Sequence, residues 1–161
     1  MRLARLVLLG CLFLNPTSLK AQETIVGVWR VISVETKEIG SDNVAKPFGE
    51  HLNATFIFTV GGHMAAVITA GDRKAPTGPN PTDAERAELH RTLSAYSGTY
   101  RVEASKLIMS IKNSSIQSWN GTDRILTLEF KGKTVTGTAT PFKSAVSGKD
   151  VVAVTTWERV E

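Results

Sequence analysis

Two tryptophan-bearing segments bracket the strand-forming part of this chain: Gly27-Val28-Trp29-Arg30 opens it and Thr156-Trp157-Glu158-Arg159-Val160 closes it. Between them lie short runs rich in Val, Ile, Thr and Phe, with one helical stretch. An all-β chain must manage its two edge strands, whose unpaired N–H and C=O groups invite pairing with other chains. Strands of matching character at both ends meet that demand by pairing with each other and closing a barrel. The expectation is an all-β fold: an antiparallel β-barrel of about eight strands, with one lid or packing helix.

The first residues stand apart. Arg2 and Arg5 precede an apolar run from Leu6 to Leu14, Pro16 breaks it, and Ala21 offers a small residue before a cut. The run is too short to cross a bilayer and has the layout of a secretory signal peptide. The expected organisation is residues 1–21 as signal peptide and 22–161 as one barrel domain, exported to a periplasm or secreted. Leu8-Leu9-Gly10-Cys11 bears a faint likeness to a lipoprotein-processing box, but the apolar stretch before Cys11 is very short, which argues against lipidation.

Removing that leader changes the charge argument. The whole chain carries nineteen Lys and Arg against fifteen Asp and Glu, a net +4. Without Arg2, Arg5 and Lys20, sixteen basic residues face the same fifteen acids, a net of +1. Nucleic-acid binding then lacks its electrostatic basis, and no later segment is long and apolar enough for a membrane-spanning helix. Cys11 is the only cysteine and leaves with the leader, so the mature chain has no disulfide, thiol nucleophile or thiolate metal site. Nothing points to a particular protein partner.

Turn and alternation signals give the order of elements. A strand is expected over 28–36, then a loop to Leu52. Two strands, 55–60 and 63–69, flank Gly61-Gly62, a pair suited to a hairpin because both residues can take positive φ. A Pro- and Gly-rich loop ends at Thr82-Asp83-Ala84-Glu85, which fits a capping box. The helix it starts is expected to run to about Ala95, with Leu89, Leu93 and Tyr96 on one narrow apolar face. Hairpins follow at 98–102 with 106–112 and at 124–130 with 133–140, then a loop over 141–149 and a final strand over 151–159.

The alternation of 134–140 places Thr134, Thr136, Thr138 and Thr140 on one face and Val135, Gly137 and Ala139 on the other. With the threonines in water, the inward residues are small. An eight-stranded barrel holds one small ligand when its side chains do not fill it. Phe56, Phe58, Met64, Leu126, Leu128 and Phe130 are the candidate apolar lining, with Tyr100 and Trp119 near the mouth and 71–95 as the lid. The competing reading is that these large residues fill the interior in ordinary packing. Trp119, in a turn-rich loop before Asn120-Gly121, either caps the mouth or anchors its loop.

Chemical motifs are sparse. Glu50-His51 is the best acid–base pair by composition, and Tyr100 can donate into a cavity. Adjacent residues on an extended segment point to opposite sides, however, so Glu50 and His51 need not meet. His51, His63 and His90 show no His-x-His or His-Glu-x-x-His spacing, so no metal site is expected. Ser97, Ser110 and Ser114 lack the nucleophile-elbow pattern. No catalytic residue or cofactor is assigned from motifs.

Several segments together resemble the bacterial and fungal lipocalin-like domain family. They are Gly27-Val28-Trp29-Arg30, Pro47-Phe48-Gly49-Glu50-His51 leading into Phe56 to Met64, Ala95-Tyr96-Ser97-Gly98-Thr99-Tyr100, Trp119-Asn120-Gly121-Thr122-Asp123, and Thr156 to Val160. The resemblance implies a calycin-type small barrel that binds small apolar molecules, with Trp29 plugging its closed end and Arg159 stacked on it. It implies no single activity, since some lipocalin-like barrels are isomerases or cyclases. The family often carries a histidine near the position of Met109 and Ser110, which this chain lacks. The combined expectation is an exported binder of a small, largely apolar molecule. One alternative is an isomerase- or cyclase-type enzyme acting on an apolar metabolite through His51, Glu50 and Tyr100. The other is an interaction module with a filled barrel.

Overall fold

A computed structural model describes residues 25–143 and 148–161. The apolar leader lies outside these residues, as does 144–147 within the expected loop at 141–149. The strands are β1 (Gly27–Glu38), β2 (Val44–Ala45), β3 (Leu52–Phe58), β4 (His63–Ala70), β5 (Leu93–Glu103), β6 (Lys106–Ser114), β7 (Asp123–Lys131), β8 (Thr134–Ala139), β9 (Phe142–Lys143) and β10 (Asp150–Arg159). Helix α1 (Asp83–Arg91) lies between β4 and β5, and a single 3-10 turn (Gln117–Trp119) precedes β7.

Eight strands run in the order β1-β3-β4-β5-β6-β7-β8-β10, and β10 returns to pair with β1. This is the closed antiparallel barrel that the paired tryptophan ends imply. The closing seam is long, from Trp29↔Arg159 to Glu38↔Val151. The two-residue strands β2 and β9 attach outside the ring, to β1 and β10.

Antiparallel neighbours make successive connections alternate between the two ends. Tight turns at 59–62, 104–105 and 132–133 gather at one end, beside the start of β1 and the end of β10. The long connections, 39–51, 71–92, 115–122 and the described residues of 140–149, gather at the other. The first end is closed and the second carries the mouth.

Alternation decides what each strand sends inward. Met64, Ala66, Ile68 and Ala70 are buried along β4, Leu126 and Leu128 along β7, and Val135, Gly137 and Ala139 along β8. In β4 the neighbours Ala65 and Val67 alternate with the buried residues and face outward. In β1 neither phase is apolar throughout. A bulge between Val31 and Ser33 re-phases the strand, so Trp29 and Val31 turn inward before it and Val34 after it, while Ile32 is exposed.

The closed half is filled. Trp157 is wholly buried against Phe56 (4.6 Å between ring centres), Phe58 (6.0 Å) and Trp29 (6.4 Å). The Trp29 indole donates to the Ile25 carbonyl at 2.8 Å. Arg159 lies over the Trp29 ring at 4.3 Å and donates to the Val26 carbonyl at 2.6 Å. Gly137 shows why small inward residues need not leave space: a Cβ there would stand 3.1 Å from Leu126 and 3.2 Å from Thr155.

Helix α1 starts where the capping box places it. Thr82 Oγ1 accepts from the Glu85 N–H and the Glu85 carboxylate accepts from the Thr82 N–H. It ends four residues earlier than its apolar spacing suggests. Thr92 folds back on the Glu88 carbonyl, and Arg73 Nη2 donates to the Leu89 carbonyl at 2.9 Å. Leu93 and Tyr96 belong to β5, paired across from Thr69 and Ala66. Spacings of four and three look helical locally, but the free edge of β4 offers this segment a complete ladder. No residue of α1 is buried.

Candidate functional site

Above the aromatic layer, the open half of the barrel holds a cavity of about 260 Å³. Its floor and walls come from inward positions of seven strands: Val34 and Thr36, Phe56, Ile68, Ser94 and Tyr96, Met109, Arg124 and Leu126, and Ala139, with Ala153 and Thr155 of β10 adding an eighth side. Loop residues close over it: Pro47 and Phe48 from 39–51, Ile116 and Trp119 from 115–122, and Phe142 of β9. Of the 71–95 segment expected as the lid, Arg91, Leu93 and Ser94 alone reach the cavity, and the last two do so as part of β5. Elsewhere in that segment Thr77 and Thr82 are bound to Glu85, away from the cavity lining.

Trp119 joins the loop to the walls. Its ring meets Tyr96 edge-on, 5.4 Å between centres, and the Arg124 guanidinium lies 4.1 Å from its centre. Phe142 stands on that guanidinium at 5.9 Å. Burial pushes the Tyr96 hydroxyl up, with Arg124 pulling the other way. Burial likewise pushes the Arg124 guanidinium down, opposed by Tyr96. Ser94 is 4% exposed and its Oγ has no hydrogen-bond partner among the described residues. The site is therefore an apolar chamber with a few polar groups in its wall, an arrangement suited to a small molecule with an apolar body.

The structure brings Phe56, Trp119 and Leu126 to this cavity. Phe58, Met64 and Leu128 are buried in the core and do not line it, and Phe130 is more than a third exposed. Tyr100 is at the closed end, not the mouth. Its hydroxyl donates to the Thr59 carbonyl at 2.8 Å, its ring meets Phe58 edge-on, and burial pushes its hydroxyl up. Glu50 and His51 are exposed, and Glu50 pairs with Lys46. None of His51, Glu50 and Tyr100 lines the cavity. His63 is exposed at the start of β4, and His90 sits against the Ser115 carbonyl at 3.2 Å. Among the described residues, no three His, Cys, Asp or Glu side chains stand together.

Residues 26–160 match the lipocalin-like domain family. The chain belongs to that family. No curated protein matches it in sequence. A solved structure, that of a mutant of the fluorescent protein UnaG, is similar to it at 16% identity, over 86% of this chain and 97% of that one, with a TM-score of 0.38.

Ser94, Tyr96, Met109 and Arg124 are among the lining residues of this lipocalin-like domain that motif reading passes over. A signal for Arg124 was present. It is two residues before Leu126 and four before Leu128, so strand alternation places a cation in phase with the inward leucines. Ser94 and Tyr96 were hidden by the helical reading of their segment.

Proposed function

We propose that this lipocalin-like domain is an exported binding protein that holds one small, largely apolar molecule in the open half of its barrel. The observation that supports this is the cavity of about 260 Å³ walled by Phe56, Ile68, Met109, Trp119 and Leu126 above a filled aromatic layer. Burial of ligand surface supplies the driving force, at roughly 25 cal/mol per Å². A half-filled barrel suits the role: the closed end holds the fold together, so the open end need not be packed for stability. The acid–base trio of the enzyme reading, His51, Glu50 and Tyr100, contributes nothing to the chamber, which favours binding over the isomerase or cyclase alternative.

Native mass spectrometry of the chain from Gln22 to Glu161, purified from its own compartment, tests this before and after organic extraction. The expected result is a discrete added mass that extraction removes, and export of the full-length chain with loss of the leader. A bare polypeptide that also fails to bind any apolar probe would overturn the reading in favour of a filled interaction module.

A further inference from the structure

Arg124 differs from every other described arginine. Arg30 pairs with Glu158, Arg86 with Asp83, Arg91 with Glu88 and Arg101 with Glu103. Arg73 and Arg159 donate to backbone carbonyls. The Arg124 guanidinium has aromatic rings against it, Trp119 at 4.1 Å and Phe142 at 5.9 Å, and no oxygen acceptor among the described residues. Stacking occupies the face of a guanidinium and leaves its edge, which carries the five N–H donors. A partly buried cation without an acceptor is an unfavourable arrangement unless something completes it.

Two further observations place polar recognition in the same chamber. Ser94 Oγ is buried there without a hydrogen-bond partner among the described residues. Tyr96 lines the cavity and its hydroxyl makes no hydrogen bond among the described residues. A smaller hollow of about 70 Å³, lined by Arg124, Ile125, Ala139, Thr140 and Phe142, shares three residues with the main cavity. There is space beside Arg124 as well as above the apolar floor.

We infer that the ligand is an apolar carboxylic acid whose carboxylate pairs with the edge of Arg124, with its apolar body against Phe56, Met109 and Leu126. This rests on the cavity reading above and adds a charge requirement to it. A guanidinium accepts a carboxylate through two parallel N–H donors, and such charge-assisted pairs are about twice as strong as neutral ones. Hydroxyls of Ser94 and Tyr96 offer donors to the same oxygens or to a second polar group. The stacked rings keep water from one side of the pair.

The test uses matched acids and alcohols, decanoate with decanol and naphthoate with naphthol. Each is titrated calorimetrically into the wild-type protein, Arg124→Gln and Arg124→Lys, with thermal melts on all three. The wild type is expected to bind each acid at least about tenfold more tightly than its alcohol. Arg124→Gln should abolish that preference, bringing acid and alcohol affinities together through a larger loss for the acid. Equal wild-type affinity for acid and alcohol would overturn the charge requirement while leaving the cavity reading intact. Equal loss of both in Arg124→Gln would make Arg124 a wall residue only. Binding of none of the four probes to the wild type would remove both proposals. If Arg124→Gln does not fold, weakening of acid binding by salt in the wild type, without weakening of alcohol binding, decides the matter.

Discussion

Arg159 and Trp29 are register partners on the seam between the last strand and the first, and the guanidinium of one lies 4.3 Å from the ring centre of the other. Nη1 of Arg159 also donates to the carbonyls of Val26 and Glu161, at 2.6 and 3.1 Å. One side chain thus ties both ends of the barrel domain to the ring plugging its closed end. Arg159→Met keeps the aliphatic stem but removes the charge and the donors. The expected loss is about 1–3 kcal/mol, seen as a lower urea midpoint with unchanged slope. Wild-type stability in that variant would show that the β1–β10 ladder closes the barrel without the latch.

Trp119 belongs to the mouth, partly buried between Tyr96 and Arg124. Trp119→Ala should weaken binding of an apolar ligand by about tenfold or more, as loss of an aromatic anchor does. Stability should fall by less than about 2 kcal/mol, because the closed-end aromatic layer is untouched. Parallel calorimetric and denaturant titrations separate the two effects. A collapse of stability with affinity retained would identify Trp119 as a loop anchor.

Two small-residue exchanges in the β5–β6 hairpin should move stability in opposite directions. Ala104, in the turn, has φ 53°, a conformation that a Cβ disfavours. Ala104→Gly should stabilise by about 0.5–1 kcal/mol. At the bulge in the same hairpin, a Cβ on Gly98 would stand 2.0 Å from the Ser110 carbonyl oxygen. Gly98→Ala must shift backbone and should destabilise by about 2 kcal/mol or more. Thermal melts of both variants test the pair, and the same sign in both would contradict the turn geometry.

Glu85 gives the loop before α1 a pH dependence. Its carboxylate accepts from the N–H and hydroxyl of both Thr77 and Thr82, at 2.7–3.0 Å. Those bonds hold its pKa down to about 2, from an ordinary 4.5. The folded value is the lower one, so the contribution is full above pH 4.5 and is lost as pH falls through about 2. The Thr77 and Thr82 amide resonances should titrate together near pH 2, and Glu85→Gln should remove the inflection. An inflection near 4.5 would mean that the four-donor cradle does not persist in solution.

Local patterns carried most of the fold. The Gly61-Gly62 hairpin, the Thr82 capping box and the inward phase of Val135, Gly137 and Ala139 all depend on neighbours within a few residues. The end of α1 was not legible, because Leu89, Leu93 and Tyr96 satisfy a helical spacing, and only the edge of β4 makes the strand the better partner for Leu93 onward. The site was legible only in part for a similar reason. Alternation tells which side chains point inward but not at what height. Phe56 and Phe58 both face the interior, yet Phe56 lines the cavity and Phe58 lies in the plug.

By itself the sequence determined an antiparallel ring closed by its Trp29 and Trp157 strands, since backbone pairing and side-chain period are local rules that leave few other ways to remove the edges. Tertiary structure alone decided which end is filled. Tight turns bring Trp29, Trp157, Phe58 and Tyr100 together at one end, while the long connections separate the walls at the other and leave Arg124 stacked on Trp119 beside open volume. Packing density depends on how side chains from eight strands meet at one height. That is a property of the closed ring, and no single strand carries it.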